Sequence, residues 1–486
     1  MSGETTFSMV IDGQLVSADS FLDVIDPATG VVFARAPNCS RVQLDAAVAS
    51  SAIAFESWKN TDISVRRSTL LSIAQVMESD AGRLSGLLTS EQGKPLADAA
   101  GEIAIAVARL RGTATLALPE AVVERNPGRH VRILRTPLGV VGAIAPWNFP
   151  ISLAMQKFAS ALLAGNTVVL KPSPTTPLTT LRIGELVRHL VPPGVFNVVS
   201  GADPLGQWIT EHSGIAKISF TGSVETGRRV MASAARDLKR VTLELGGNDA
   251  AVVFPGVDVS AVVEKIFWAS FRNAGQICIA AKRIYVHSAI YEEFRDALVS
   301  YARQIKIGAG DEPGVQIGPV QNLHQFRRIA DLIAECAHEG HKFALGGTAP
   351  PEGGGYFLPL TIVDSPPDES RLVAEEQFGP IVPLLRFTDT DDVIRRVNAT
   401  RFGLAGSVWS PDAAFASSVA ERIDSGTVWI NEVQQLSASV PFGGHGQSGI
   451  GVEGGQEGLL EYTNAKVVTA ASLTNTPVFA ERSQDA

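Results

Sequence analysis

Short apolar runs rich in β-branched residues alternate with longer runs of helical periodicity along most of the chain. VVGAIAP (140–146) and NTVVLKP (166–172) are strand-like, and SLAMQKFASALLAG (152–165) between them has helical spacing. FNVVSG, AKISFTG and RVTLELGG continue the series as strands separated by helix-like segments. Parallel strands need helical crossovers of this kind. The alternation therefore predicts an α/β fold built on a doubly wound parallel sheet.

The alternation starts afresh after Gly246 and Gly247, with AAVVFPG, KRIYVH and GTVWIN as the next strand-like runs. A chain of 486 residues is also too long for a single hydrophobic core. We therefore assign residues 1–118 and 138–246 to a first α/β domain and residues 247–447 to a second α/β domain.

Residues 121–135 form two β-like runs around Asn-Pro-Gly and predict a β-hairpin. The edges of a hairpin that leaves its domain need covering. We assign residues 119–137 and 462–474 to an oligomerisation arm, which predicts a homodimer or a homotetramer. We also expect the strand-like AKVVTAA (465–471) to pair with a neighbouring subunit.

Composition narrows the class of partners. The formal net charge is −9 and no dense block of Lys and Arg is present, which argues against nucleic acid. No apolar run approaches the roughly 18 residues of a membrane span. The three cysteines have no metal-binding spacing, so we expect no metal site and a reducing compartment. The first residues lack a signal-peptide pattern, and a cytoplasmic location is predicted.

Cys278 lies in NAGQICIAAKR, after a helix-like run and just before a strand-like one. A cysteine between two isoleucines is most often a buried structural residue. Gly275 and Gln276, however, make the preceding backbone loop-like, so a ligand can approach it. The alternative interpretation is a nucleophile, which requires a base and a donor that polarises the electrophile.

Two further residues could supply these roles. Glu244 follows Leu243 in an apolar strand, where a carboxylate is either bonded to backbone amides or able to act as a base with a raised pKa. Asn148 follows a strand in APWNFP, where it either belongs to a turn or donates to an oxyanion.

Lys171 ends a strand, the position at which open α/β sheets bind cofactors, although an isolated lysine there is commonly just solvated. FTGSVETG (220–227) ends another strand and opens a helix. Ser223 and the free amides of that helix start are able to hold a pyrophosphate. Its glycine spacing alone is a weak signal.

In their order along the chain, the motifs APWNFP, LKPSPTTP, FTGS, LELGGND, GQIC, EEQFGP and PFGGHGQSGIG resemble those of the non-phosphorylating, NAD(P)-dependent aldehyde dehydrogenase superfamily. The resemblance covers nearly the whole chain. It implies that the first domain binds the cofactor, that the second is catalytic, and that the hairpin is the oligomerisation arm of the family.

The resemblance also implies roles for individual residues. Cys278 would attack the aldehyde, Asn148 and the amide of Cys278 would form the oxyanion hole, and Glu244 would activate the hydrolytic water. The residues implied in cofactor binding are Ile144, Trp147, Lys171, Ser173, Phe220, Ser223, Leu245, Glu376 and Phe378. The positions implied to line the substrate are Leu153, Gln156, Ile277, Ile279, Gln434, Leu436 and Phe442. Lys157 and Glu453 match a family proton path, or else form an ordinary structural ion pair.

The chain departs from the family pattern at two positions. Many NAD-specific relatives have a glutamate where Pro174 stands, so the cofactor is predicted to be NAD with NADP also possible. Gly446 stands where a lysine is usual. The substrate-lining positions carry no arginine, which favours an uncharged aliphatic or aromatic aldehyde as the small-molecule substrate.

Three other classes stay open from the sequence. A thiol hydrolase is disfavoured because no histidine partner for Cys278 is evident in the motif. A catalytically inactive scaffold is disfavoured because Cys278, Glu244 and Asn148 are all intact. Dehydrogenases that acylate coenzyme A share this fold, but such relatives tend to lack the glutamate of LELGG.

Overall fold

The computed structural model describes residues 7–126, 128–348, 350 and 353–471. The N-terminal segment begins with four short strands and continues with four helices. These elements are β1 (Met9–Ile11), β2 (Gln14–Val16), β3 (Phe21–Asp26), β4 (Val31–Pro37), α1 (Arg41–Trp58), α2 (Ile63–Ser79), α3 (Ala81–Gln92) and α4 (Leu96–Thr115).

The hairpin and the first strand–helix alternation follow in the order that the sequence predicts. The elements are β5 (Ala121–Asn126), β6 (Arg129–Pro137), β7 (Val140–Ile144), α5 (Pro150–Leu163), β8 (Thr167–Lys171), α6 (Leu178–Val187), β9 (Phe196–Val198), α7 (Asp203–Glu211), β10 (Lys217–Thr221), α8 (Val224–Ala235) and β11 (Arg240–Glu244).

A second alternation fills most of the remaining chain. Its elements are β12 (Asp249–Val253), α9 (Val259–Phe271), β13 (Ala281–His287), α10 (Tyr291–Ala302), α11 (Leu323–His338), β14 (Lys342–Leu345), β15 (Thr361–Asp364), α12 (Arg371–Ala374), β16 (Ile381–Phe387), α13 (Thr390–Asn398), β17 (Phe402–Gly403), β18 (Ala405–Trp409), α14 (Ala413–Ala420) and β19 (Thr427–Ile430). The chain then forms β20 (His445–Gly446), β21 (Gly449–Ile450), α15 (Gly455–Leu460) and β22 (Thr463–Ala471).

Two large sheets organise these elements, and the predicted α/β fold is confirmed. The first has the strand order β2-β1-β9-β8-β7-β10-β11-β21. Its five central strands, β9, β8, β7, β10 and β11, are parallel to one another. The second has the order β14-β15-β16-β13-β12-β18-β19, and all its pairs except β14–β15 are parallel. Helices supply the crossovers that parallel pairs require.

The first sheet also contains β21, which the domain ranges leave unassigned. Those ranges stay a proposal.

Local sequence explains where several helices begin. Ser40 precedes α1 and forms a capping box with Gln43, in which each side chain accepts from the other residue's backbone amide. Pro150 is the first residue of α5, where its missing amide hydrogen is harmless. Gly165, at φ +91°, follows the end of the same helix.

The hairpin prediction is confirmed; residues 465–471 pair within their own chain through one edge of the strand, and their pairing with a neighbouring subunit through the other edge stays a prediction. β5 and β6 pair antiparallel, and β22 pairs over its whole length with β6 of the same chain. β6 has one edge free once β5 covers the other, so the chain's own C-terminal strand fills it. Residues 472–474 of the assigned arm lie outside the described residues. No helix in the described ranges is long and apolar enough to cross a membrane.

Candidate active site

The carboxyl ends of four neighbouring parallel strands place predicted site residues in one row. Lys171 of β8 pairs with Ile144 of β7, and Ile144 pairs with Phe220 of β10. Thr221, next along β10, pairs with Glu244 of β11. Open parallel sheets bind ligands at this edge. The register therefore brings three predicted cofactor residues and the predicted base to a single edge.

The loop that carries Cys278 makes an unusually tight turn. Asn273, Ala274 and Gly275 all have positive φ, at 54°, 53° and 70°, a conformation that costs energy for residues with a Cβ. The fully buried Gln276 supports the turn, because its Nε2 donates to Asn273 O at 2.8 Å. The turn therefore sets the position of Cys278, which lies three residues before the start of β13.

Asn148 is held against this loop. Its Nδ2 donates to Gln276 O at 3.0 Å, and its own carbonyl accepts from Asn273 Nδ2 at 3.1 Å and from Lys94 Nζ at 3.0 Å. An amide nitrogen has two hydrogens, so one remains for a ligand. Asn148 is thereby fixed to the backbone of Gln276, two residues before Cys278, and keeps a free donor.

The segment after Glu244 lies directly against the cysteine. A Cβ at Gly247 would overlap the carbonyl oxygen of Cys278, so only glycine allows this approach. Asp249, at the start of β12, pairs with Ala281 at the start of β13. The carboxyl end of β11 in the first sheet therefore meets the amino ends of β12 and β13 in the second sheet at the thiol.

The environment of the thiol disfavours its ionisation. The Cys278 side chain is partly exposed, yet burial raises the pKa of the thiol to about 12, and the carboxylates of Asp249, Glu376 and Glu244 act in the same direction. A thiolate is the reactive form. Reaction at neutral pH therefore requires a neighbouring group to take the thiol proton.

Apolar side chains surround the thiol. Cys278 and Phe442 contact a cluster that includes Ile277, Ile279 and Trp429. Three of the predicted substrate-lining residues, Ile277, Ile279 and Phe442, are thus brought together beside Cys278.

Glu244 is buried, and the structure shows no hydrogen-bonding partner for it among the residues that it describes. Its side chain is 5% exposed and neither carboxyl oxygen accepts or donates a hydrogen bond there. Burial raises its pKa well above the ordinary value, and the nearby Glu453 carboxylate adds to this, while Lys157 opposes it. Backbone amides do not stabilise this carboxyl, which disfavours the interpretation of Glu244 as a structural residue.

Lys157 and Glu453 form a buried ion pair with Nζ and Oε1 2.5 Å apart. Ser219 Oγ donates to the same carboxylate oxygen at 2.9 Å, and Tyr462 Oη donates to Ser219 Oγ at 3.1 Å. The pair exists as predicted. Its part in a proton path stays a prediction, because these contacts suit a structural ion pair equally well.

Lys171 has the features expected of a ligand-binding cation. It is 5% exposed, has no carboxylate within 4 Å among the described residues, and makes one hydrogen bond, to Pro172 O at 3.2 Å. Burial lowers its pKa to about 8. The free donors of this ammonium fit the ribose hydroxyls of a nicotinamide dinucleotide, whose site it would share with the buried Ser173.

The other predicted cofactor residues lie on the same side. Ser223 is exposed and caps α8, because its Oγ accepts from Thr226 N at 3.2 Å. The amides of this helix start are able to bind phosphate. Leu245 is buried against Gly227 of α8, where a Cβ would overlap the leucine side chain. This close contact places the start of α8 next to the carboxyl end of β11.

Trp147 contacts Phe378, and Glu376 precedes Phe378 by two residues in the chain. The Trp147 and Phe378 rings meet edge to face with centroids 5.3 Å apart. Glu376 Oε1 accepts from Gly247 N at 3.0 Å. Burial raises the pKa of Glu376 to about 7. This carboxylate therefore lies next to the glycine that touches Cys278.

Two predicted substrate-lining residues differ from the others. Gln434 donates to Ala269 O at 2.9 Å and to Ile279 O at 3.0 Å, so its amide supports backbone. Leu436 is 45% exposed. Leu153 and Gln156, near the start of α5, are half-buried.

Sequence reasoning missed three charged residues near the site. Lys94 and Glu102 form a buried ion pair that also contacts Asn148 O and the first amides of α5. Arg109 lies on α4 one and two helical turns from the buried Ala106 and Glu102. The available signal was that Arg109 has the same helical spacing as the buried residues of α4, which indicates that this cation faces the interior.

The departure at Gly446 has a local cause. Its φ is +57°, and a Cβ would lie 2.8 Å from Arg401 O. A lysine is therefore disfavoured at this position. Within the described residues, no group of three or more His, Cys, Asp or Glu is arranged to hold a metal ion.

Comparison with known proteins agrees with this geometry. Residues 15–468 match the sequence model of the Aldehyde dehydrogenase family. A probable aldehyde dehydrogenase of a Pseudomonas species is 44% identical, covering 96% of this chain and 95% of its own. Succinate-semialdehyde dehydrogenase (NADP(+)) GabD of Escherichia coli is 36% identical, over 94% and 96%. The NAD+ complex of a Bacillus cereus aldehyde dehydrogenase superposes with a TM-score of 0.93 at 35% identity, covering 96% of each chain.

Proposed function

The chain belongs to the aldehyde dehydrogenase family, and we propose that it oxidises its aldehyde through a covalent intermediate on Cys278. As a member of this family it is an NAD(P)-dependent oxidoreductase that acts on aldehydes. The observation that carries the covalent proposal is the buried Glu244 carboxyl, unpartnered within the described residues, beside the glycine that touches Cys278.

The first step joins the thiol sulfur to the carbonyl carbon. A base takes the thiol proton, the sulfur attacks, and the carbonyl oxygen becomes an alkoxide. The free hydrogen of Asn148 Nδ2 and the backbone amide of Cys278 stabilise that negative charge. Because the Asn148 amide is already oriented by Gln276 O, little reorganisation is needed when the charge develops.

The second step leaves an acyl group on Cys278. The nicotinamide of NAD(P), when bound, accepts a hydride from the substrate carbon. The acyl group is then held as a thioester. Glu244 takes a proton from a water molecule, the hydroxide attacks the thioester carbon, and the carboxylic acid leaves as the sulfur departs.

The residues near the strand ends fit the cofactor. Lys171 and Ser173 would hold the adenosine ribose, the start of α8 at Ser223 would hold the pyrophosphate, and Glu376 would hold the nicotinamide ribose. Ile144, Trp147, Phe220, Leu245 and Phe378 would supply the apolar surface. Each role follows from the position of the side chain and from the family likeness.

NAD is expected to be preferred over NADP by a small factor. The half-buried Pro174 offers neither a carboxylate to repel a 2′-phosphate nor a cation to attract it. We expect the ratio of kcat/KM values to be about fivefold, roughly 1 kcal/mol. Pro174→Glu should increase it. A parent ratio above about 10³, roughly 4 kcal/mol, would assign the discrimination to another group.

The arm is expected to hold a homodimer or a homotetramer together. Its three-stranded sheet has two outer edges, and Val122, Val123 and Val467 are 45%, 64% and 61% exposed. The double variant Val123→Lys, Val467→Lys should dissociate into smaller species in light scattering. Val42→Lys, at an exposed valine on α1, is the control. A monodisperse monomer of the parent would contradict the proposal.

The experiment that tests the proposed activity is a panel of aldehydes assayed for NADH and NADPH formation. Ester hydrolysis without nicotinamide is measured in parallel, because it would favour a thiol hydrolase. Coenzyme A is added in a third arm to detect acyl transfer. We also propose a cytoplasmic site of action, which the three free cysteines of the described chain favour.

The prediction of an uncharged substrate stays a prediction. It rests on the lining positions that the family likeness implies, none of which is charged. Arg109 was not among them, and its position bears directly on the charge of the substrate.

A further inference from the structure

Arg109 on α4 contacts α5, the helix that follows Asn148. Its Nη1 donates to Ser152 O at 2.9 Å, one residue before the predicted substrate-lining Leu153. One turn further along α4, Gly112 is so close to Ala438 that a Cβ would overlap it. Ala438 belongs to the segment that contains Leu436 and Phe442. The face of α4 around Arg109 therefore borders the substrate side of the site.

The carboxylates nearest to Arg109 already have cationic partners. Glu453 pairs with Lys157, and Glu102 pairs with Lys94. In the described part of the chain, no carboxylate lies within 4 Å of Arg109. Burial lowers the pKa of Arg109, whereas Glu453, Glu102 and the Cys278 thiolate oppose this. An arginine stays charged under all ordinary conditions. Among the described residues, the positive charge of Arg109 is thus left without an anionic partner.

We infer that Arg109 binds an anionic group of the substrate, so that the enzyme prefers aldehydes carrying a carboxylate at the far end of the molecule. The inference rests on the proposed aldehyde oxidation at Cys278. It replaces the uncharged substrate predicted from the sequence. A guanidinium has five N–H donors, and within the described residues Arg109 donates through Nη1 alone. The remaining donors suit a carboxylate, which accepts two parallel hydrogen bonds from arginine.

Arg109 is half-buried, so water only partly replaces a missing anionic partner, and this makes the interaction selective. A carboxylate that enters neutralises the unpaired charge, whereas an uncharged aldehyde of the same length leaves it without a partner. Binding at the far end also fixes the distance from the carboxylate to the reacting carbon. The chain length of the best substrate is therefore set by the separation of Arg109 and Cys278.

The test compares aldehyde acids with uncharged aldehydes of equal chain length. The probes are 4-oxobutanoate and its homologues longer by one and two methylenes, each matched with the aldehyde whose far end is a methyl group. The parent should favour the best aldehyde acid by about tenfold or more in kcat/KM. Arg109→Met should lower kcat/KM for that acid by about 10- to 100-fold and for its matched aldehyde by less than about threefold.

Two variants control the test. Arg111→Met removes an arginine from the same helix that is 45% exposed and paired with Glu78, and it should change neither substrate. Arg109→Lys keeps the positive charge but loses the planar guanidinium with its paired donors, and it should retain part of the selectivity that Arg109→Met loses.

The outcomes separate the inference from the proposed function. An equal loss on both substrates in Arg109→Met, with a shifted pH profile, would overturn the inference by showing that Arg109 acts on the thiol. A parent without preference for any aldehyde acid would also overturn it. If the parent oxidises no aldehyde of either series but hydrolyses esters, the proposed function itself fails.

Discussion

Cys278→Ala is expected to form no NADH or NADPH from any aldehyde that the parent oxidises. Without the sulfur no covalent intermediate forms, and the loss in kcat should be on the order of 10⁵ to 10⁶, as for other enzymes that lose their nucleophile. The thiol is partly exposed, and alanine fills nearly the same volume. The variant should therefore keep its melting temperature and its affinity for the cofactor, measured by tryptophan fluorescence.

The other two cysteines are matched controls. Cys39 and Cys336 lie in hydrophobic cores at 3% and 2% exposure, and burial raises the pKa of their thiols to about 12 and about 11. Cys39→Ser and Cys336→Ser should retain full kcat, even if burying a hydroxyl lowers their stability. Turnover that survives in Cys278→Ala, or disappears in either control, would show that the nucleophile is misassigned.

Glu244→Gln is expected to lower steady-state turnover by about 10² to 10⁴, the usual contribution of a general base. Glutamine keeps the shape of the side chain but takes no proton from water, so the acyl group should stay on Cys278. Hydroxylamine, which needs less activation than water, should partly restore turnover. If Glu244 also deprotonates Cys278, the first equivalent of reduced cofactor will form slowly as well.

The raised pKa of Glu244 predicts how pH affects this variant. The base acts when deprotonated, so deacylation in the parent should accelerate as pH rises through a value well above the ordinary carboxyl range. The folded protein holds this proton more tightly than the unfolded chain does. Ionisation of Glu244 therefore costs stability as pH rises. Glu244→Gln removes that cost, so its melting temperature should fall less than the parent's between mild acid and mild base.

Strand and helix order could be predicted from the sequence because periodicity and β-branched runs report burial directly. The same patterns located Cys278 and Glu244, a reactive group before one strand and an acid at the end of another. The partner of β22 could not be predicted, because a strand with two free edges pairs equally well within or between chains. The structure resolves this for one edge of β22 through the register with β6.

The charges around the site were harder to predict. Arg109 lies in a helix with many small residues, and its spacing from Ala106 and Glu102 indicates the buried side of that helix but not its partners. Only the tertiary structure shows that Glu102 and Glu453 are matched by Lys94 and Lys157, which leaves Arg109 without a carboxylate partner in the part of the chain that the structure describes. The spacing of residues along the chain does not show which distant charged residues will pair in the folded protein.

The most direct test of covalent catalysis is the intact mass of Glu244→Gln after mixing with aldehyde and NAD. The account predicts that one acyl group accumulates on the protein, that the intact mass rises by the mass of the aldehyde less two hydrogens, one lost from the thiol and one as hydride, and that peptide mapping places the group on Cys278. The double variant with Cys278→Ala should carry no added mass. Unchanged steady-state turnover in Glu244→Gln without an adduct would contradict the account and make Glu244 a structural residue.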